Sequence, residues 1–447
     1  MDELKAYLIF TILTLSLASG CLGNSDPISS NGNEENNDES GLVPRLVKDI
    51  NPGHYSSNPS EGIQIRWNKF VFPASDGRNG TRLWVTDGTE LGTKLIQNLS
   101  IDTSDIYSDS PHFVFFSFGN MVVFEIWYGS HSSLWSTDGI TAEFLVDLDE
   151  ESRNDHYNNL MMIDDDLIFT SGSWSYNLDL NNLSLTSIEE QLGHDELPRL
   201  YDFNGQFFYT RDTILFHMNM TDYSSTTIFD FDPENQREES IYWNGIKSFN
   251  DTSIIFCLGY WSGYVFGEFE CEGIWISDGT TNGTRLLREN PKTIYLDRQI
   301  SDYEVLDEKI FLAMNEHLYQ LHLDSNVTKV RDLSPDRGDS VEELFVTSTH
   351  LYFEGYDGTT DFYMSDGTFE GTNRWKAGSG SLDFSFELEN TVLVGFSGDG
   401  MYILEGGDSV KVADGVYAFL GITDTHLFFS GTSASADIGN ELWAITY

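Results

Sequence analysis

Four aspartates sit at one fixed place in a recurring phrase, and a carboxylate repeated in a turn could hold a cation or a sugar hydroxyl. The phrase reads "LWVTDGTELGT" at 83–93, "IWISDGTTNGT" at 274–284 and "FYMSDGTFEGT" at 362–372, with a shorter relative, "LWSTDGI", at 134–140. Its acids are Asp87, Asp138, Asp278 and Asp366. Calcium takes about six to eight oxygens, commonly from several alternating carboxylates, and one aspartate per turn falls short. No cofactor is therefore expected, Ca²⁺ at these turns being the one candidate. The run Asp164–Asp166 is denser but lies between two apolar runs, where a solvated turn is expected. Asp-Gly is a strong hairpin signal, because glycine accepts positive φ and the aspartate caps the turn. The phrase thus reads as a strand, a tight turn and the next strand: a structural unit rather than a site.

Other chemistry is thinner still. The histidines show no metal-ligand spacing, and nucleophile elbows, phosphate loops and dinucleotide fingerprints are absent. A sialidase-like enzyme is the natural enzymatic rival. Its Asp-box looks like "SDGTxxGT", but it puts a residue between Asp and Gly and works with an arginine cluster, whereas this chain has 14 Arg in all. A quinone-cofactor dehydrogenase would carry a vicinal disulfide, and no two cysteines are adjacent. No catalytic residue is assigned. One irregular insertion, "LGYWSGYVFGEFE", separates Cys257 from Cys271. A bridge between them across the mouth of a long hairpin is the economical reading, with two buried thiols as the alternative. Tyr260, Trp261, Tyr264 and Phe266 would then lie on a braced loop, where they could stack on a sugar, anchor a protein partner, or simply cover apolar surface.

The elements that position these residues repeat. The aromatic of the phrase falls at Trp84, Trp135, Trp275, Tyr363 and Trp443, at intervals of 51, 140, 88 and 80 residues, which divide into eight steps and hence nine units. Weak copies fill the gaps at Tyr176, Phe216, Tyr319 and Tyr402. Each unit holds four short extended runs, except the last, which holds three. The missing run is supplied by "RLVKDI" (45–50), which matches the fourth-run text "FLVDL" (144–148) and "KVRDL" (329–333). No helical period is sustained in the mature chain, and runs such as "MVVFEIW" are apolar on consecutive positions, as strands covered on both faces require. Repeats of this length suggest propellers or solenoids. The expected fold is all-β, a single β-propeller of nine four-stranded blades closed by the N-terminal strand, or of eight if unit three or four is irregular.

"LVKDINPG" (46–53), "SDGTxxGT", "LFFSG" and "ELW" together resemble the extracellular ELWxxDGT-repeat proteins, which are related to hyalin-type repeat proteins of bacteria and archaea. The resemblance covers 42–447. It implies a secreted or surface-anchored propeller and transfers no catalytic residue.

The N-terminus agrees with export. Residues 6–19 are apolar and too short for a comfortable span, and "LASGC" resembles the lipobox of prokaryotic lipoproteins. Residues 1–20 are expected to be a signal peptide and Cys21 the lipidated residue, an ordinary cleaved signal or a retained anchor being the alternatives. Residues 21–41 are polar and acidic and read as a disordered tether; the propeller would occupy 42–447. Seven Asn-X-Ser/Thr sequons, at Asn79, Asn98, Asn182, Asn219, Asn250, Asn282 and Asn326, could carry glycans in an exported chain. Asp and Glu number 72 against 24 Lys and Arg, a formal charge of −48, which repels nucleic-acid phosphates and anionic headgroups. The expected protein is a monomer on the outer face of the cell membrane, touching the membrane through its lipid alone. Its expected work is binding or adhesion to a protein or glycan partner. The rivals are an enzyme acting on extracellular polysaccharide and a structural envelope scaffold.

Overall fold

Side chains that are apolar on consecutive positions must be covered on both faces of a strand, and this chain meets that demand by stacking small sheets on one another. The computed structural model describes residues 42–447 apart from 79, 100–110, 119, 129–130, 149–160, 164–165, 172–173, 183, 188–200, 204, 212, 233, 235–241, 263–267, 291–299, 315–316, 333–340, 357–359, 376–381, 389–390, 397–398, 406–407 and 434–437. The described residues contain no helix and form nine four-stranded antiparallel sheets. Eight are simple meanders, within residues 63–95, 112–148, 161–187, 201–230, 242–289, 300–332, 341–375 and 382–414. The ninth has three strands from 416–446, and its fourth is the first strand of the domain, Pro44–Lys48, antiparallel to Ile438–Thr446. Units three and four are four-stranded like the rest.

The marker aromatic lies on the third strand of every sheet, where it faces a buried residue of the second. The pairs are Phe72–Trp84, Phe124–Trp135, Phe169–Tyr176, Tyr209–Phe216, Phe256–Trp275, Leu312–Tyr319, Phe353–Tyr363, Val394–Tyr402 and Phe429–Trp443. Each second-strand partner is at most 1% exposed. The marker is therefore one half of a core rung, and the weak copies keep it by substituting Tyr or Phe for Trp.

Apolar clusters join each sheet to the next. Val71, Leu83 and Val85 of sheet one meet Val122 and Phe124 of sheet two, and the pattern continues through sheets two and three, three and four, four and five, five and six, six and seven, seven and eight, and eight and nine. A further cluster joins Leu420, Phe428 and Leu442 of sheet nine to Phe70, Phe72 and Trp84 of sheet one.

A bulge explains the fourth-run text. In sheets two, four, five, six, eight and nine the ladder between the third and fourth strands slips by one residue just before the marker. The extra residue is Leu145, Ile228, Leu287, Val330, Val412 and, on the N-terminal strand, Val47. A bulge adds one residue opposite a single partner and re-aims its side chain. All six are aliphatic, and each joins the cluster shared with the following sheet. The N-terminal strand thus repeats the fourth strand's irregularity as well as its sequence.

Candidate functional site

In an antiparallel meander, first-to-second and third-to-fourth connections lie at one end of the sheet, the others at the opposite end. The repeated Asp-Gly phrase falls at the first of these ends. It is not the tight hairpin that the sequence suggests but a loop of fixed hydrogen bonds. Asp87 Oδ1 accepts from Thr89 N at 2.9 Å and Thr89 Oγ1 at 2.7 Å. Gly92 N donates to Thr89 Oγ1, Thr93 Oγ1 donates to Thr89 O, and Thr93 Oγ1 meets Thr86 Oγ1 at 2.8 Å. The same bonds recur around Asp278 and Asp366. Around Asp138 a shorter loop keeps the bonds to Ile140 N and Thr141 N. The hydroxyls that close the loop explain why Thr or Ser stands before the aspartate and Thr at the end, and why a two-residue turn does not form.

The glycines are equally constrained. A Cβ on Gly92, Gly283 or Gly371 would stand within 1.9 Å of the aspartate's Oδ1. Gly88, Gly279 and Gly367 hold φ between 79° and 84°, with a Cβ here reaching His426 of sheet nine, Phe208 of sheet four and Phe311 of sheet six respectively. The Asp366 carboxyl is held below its ordinary range by the Thr368 bonds, and that of Asp138 chiefly by the Thr141 N–H. At Asp87 burial pushes upward, but the Thr89 bonds prevail and the net shift is downward.

The cysteines are bridged, with Cα atoms 5.8 Å apart. The bridge lies inside the hairpin of sheet five rather than at its mouth: Cys257 faces Ile274, Gly259 faces Cys271, and the strands continue to Ser262 and Glu268. Tyr260 and Trp261 consequently sit on a strand, Ser253–Ser262, rather than on a loop; Tyr264 and Phe266 lie outside the described residues, as do Cys21, Asp164, Asp165 and Asn79. Of the other sequons, Asn98, Asn182, Asn219, Asn282 and Asn326 are exposed and Asn250 half-buried.

Three features escaped the sequence reading. The first is a charge cluster on first strands. Lys247 of sheet five pairs with the buried Glu304 of sheet six, and Asp302 accepts from Leu344 N of sheet seven at 2.8 Å. Burial and the Glu304 charge push the Asp302 carboxyl up to about 6, against the pull of Lys247. Burial lowers the Lys247 affinity for its proton, but Glu304 and Asp302 more than reverse this. Tyr303, raised by burial and Glu304, donates to Gly245 O. The second is Glu441, fully buried, which accepts from the backbone N–H of Ile50, Asn51 and Ser57 and from Ser57 Oγ. The third is the three-residue turn Arg66–Trp67–Asn68 of sheet one. Trp67 is 69% exposed at φ 62°, with Arg66 Cζ 5.0 Å and Lys69 Nζ 5.9 Å from its ring. Among the described residues no group of three or more His, Cys, Asp or Glu is placed to hold a metal ion.

No family model matches the chain, and a search of curated proteins finds no match. Solved structures similar to it include Porphyromonas gingivalis dipeptidyl peptidase 4, at 10% identity and TM-score 0.47 over 86% of this chain and 64% of that one. BamB from Moraxella catarrhalis matches at 12% identity and TM-score 0.38 over 73% and 94%, and the computationally designed Ika8 protein at 12% and 0.39 over 88% and 97%. The chain spans less than two thirds of the length of the peptidase.

Proposed function

We propose that the nine sheets are the blades of one closed propeller, and that this ring, exported and tethered through lipid on Cys21, is a binding or adhesion module for a protein or glycan partner at the cell surface. Support for the ring comes from the cluster between sheets nine and one, which follows the same scheme as the eight others, and from first strands that touch those of neighbouring sheets, as in sheets five, six and seven. A propeller stacks its blades in this way and leaves only short, protected edges. The "LASGC" stretch supports the anchor.

One observation carries the binding reading: the repeated polar groups are spent on the scaffold. Asp87, Asp278 and Asp366 hold their own loops, and Glu441 holds the chain that follows the closing strand. What the scaffold leaves outward is surface for contact. The test is a glycan-array and pull-down screen of the full chain, with and without Ca²⁺. Selective capture without turnover is the expected result; product formation from a polysaccharide would favour the enzymatic rival, and absence of any partner would count against binding.

A further inference from the structure

Large aromatics on turns are normally covered, and residues with bulky side chains rarely take positive φ. Trp67 breaks both rules at once. Its turn is fastened to sheet nine: Asn68 Nδ2 donates to Thr425 Oγ1, and Gln64 Nε2 donates to Asp424 Oδ1 at 2.9 Å. The indole is thus presented on a pinned turn, so little freedom is lost when a ligand covers it.

Its neighbours define the ligand. The Arg66 guanidinium and the Lys69 ammonium lie over the ring, and neither side chain makes a hydrogen bond or salt bridge with a described residue, in a chain where acids outnumber bases 72 to 24. The Lys69 charge also helps hold the Asp87 and Asp138 carboxyls down. An exposed indole with two cations beside it suits a sugar ring bearing an anion. A protein partner would instead need on the order of 800 Å² of contact surface.

We infer that Trp67, Arg66 and Lys69 form a subsite for a uronate, a sugar ring carrying a carboxylate, which stacks on the indole while the guanidinium and ammonium meet its carboxylate. This rests on the reading of the chain as a binding module. The test is titration of the full chain with oligogalacturonate and with a neutral oligosaccharide of equal length, followed by calorimetry and indole fluorescence. Trp67→Gly keeps the turn's positive φ, and Arg66→Gln/Lys69→Gln keeps the indole. Selective, salt-sensitive uronate binding, weakened about tenfold or more in each variant, is expected. Uronate binding unchanged in both variants would overturn the site. If the chain binds neutral sugar or a protein but not uronate, the subsite falls and the binding module stands; if it binds nothing in either screen, both fall.

Discussion

Ser57 and Glu441 are joined across almost the whole length of the domain: Ser57 Oγ donates to Oε2 at 2.6 Å and Ser57 N to Oε1 at 2.9 Å. The glutamate also takes Ile50 N at 2.8 Å, so one buried side chain on the last strand orders the segment between the closing strand and the first sheet. Replacing it with Ala strands the N–H groups of Ile50 and Asn51, while Ser57 N keeps the Asn440 carbonyl as an acceptor. Buried donors left unpaired cost about 1–3 kcal/mol each, and Glu441→Ala is expected to lower unfolding stability by about 3 kcal/mol, Glu441→Gln by less because one acceptor remains. Urea unfolding of the two variants checks this; equal stability to the parent would contradict it.

Asp302 gives the stability a pH dependence. Its carboxyl is raised to about 6 by burial and by Glu304, so the folded state holds the proton more tightly than the unfolded chain does. Stability from this group is fully present below about pH 4, falls as pH rises through about 6, and then levels; the loss is about 3 kcal/mol. Asp302→Asn is expected to flatten the profile between pH 4 and 6. Asp138 and Asp366, whose carboxyls are held down, act oppositely: their contribution is lost as pH falls below about 4. Denaturation midpoints at half-unit pH steps separate the two effects.

The Lys247–Glu304 pair crosses from sheet five to sheet six with Glu304 5% exposed. Removing one partner leaves a buried charge alone, which costs about 3–5 kcal/mol. Lys247→Met should therefore destabilise strongly, whereas Lys247→Met with Glu304→Leu should recover most of the loss. A double-mutant cycle by chemical denaturation measures the coupling, and additive effects would show that the pair does not interact.

Two glycines of one loop are expected to fail for different reasons. Gly367 holds φ 84°, and its Cβ would lie 2.6 Å from Phe311 of the preceding sheet; left-handed backbone alone costs about 1–2 kcal/mol for other residues. Gly371 lacks the positive φ, but its Cβ would displace the Asp366 carboxylate. Gly371→Ala should thus cost little more in a protein that already carries Asp366→Ala, while Gly367→Ala should remain costly there. Melting temperatures of the single and paired variants decide between these outcomes.

The strands, the unit length and the supply of the missing ninth-sheet strand were legible because core rungs repeat: Trp84, Tyr176 and Tyr402 differ in identity but stand at equivalent places. The matching text of "RLVKDI" and "KVRDL" was legible too, though its cause, a bulge that places Val47 and Val330 against the next sheet, needs two strands in register. The Asp-Gly loop was misjudged because a dipeptide rule ignores the hydroxyls of Thr86 and Thr93, seven residues apart, that close it. Tyr260 and Trp261 looked like loop residues since glycines break their run, yet the ladder of sheet five passes through them. Lys247 and Glu304 were invisible because nothing local links residues so far apart in sequence. Trp67 left a trace in "RWNK", a bulky residue beside an asparagine where a turn belongs.

The central claim is that the first strand closes the ring, and the pairing of Arg45 with Ala444 exposes it to a direct test. In a chain carrying Arg45→Cys and Ala444→Cys, mild oxidation should form a disulfide between these two positions, identified by peptide mapping alongside Cys257–Cys271. It should also raise stability by about 4 kcal/mol, because it closes nearly the whole domain into a loop. Thiols that stay reduced, or a bridge that lowers the unfolding midpoint, would contradict the closed ring.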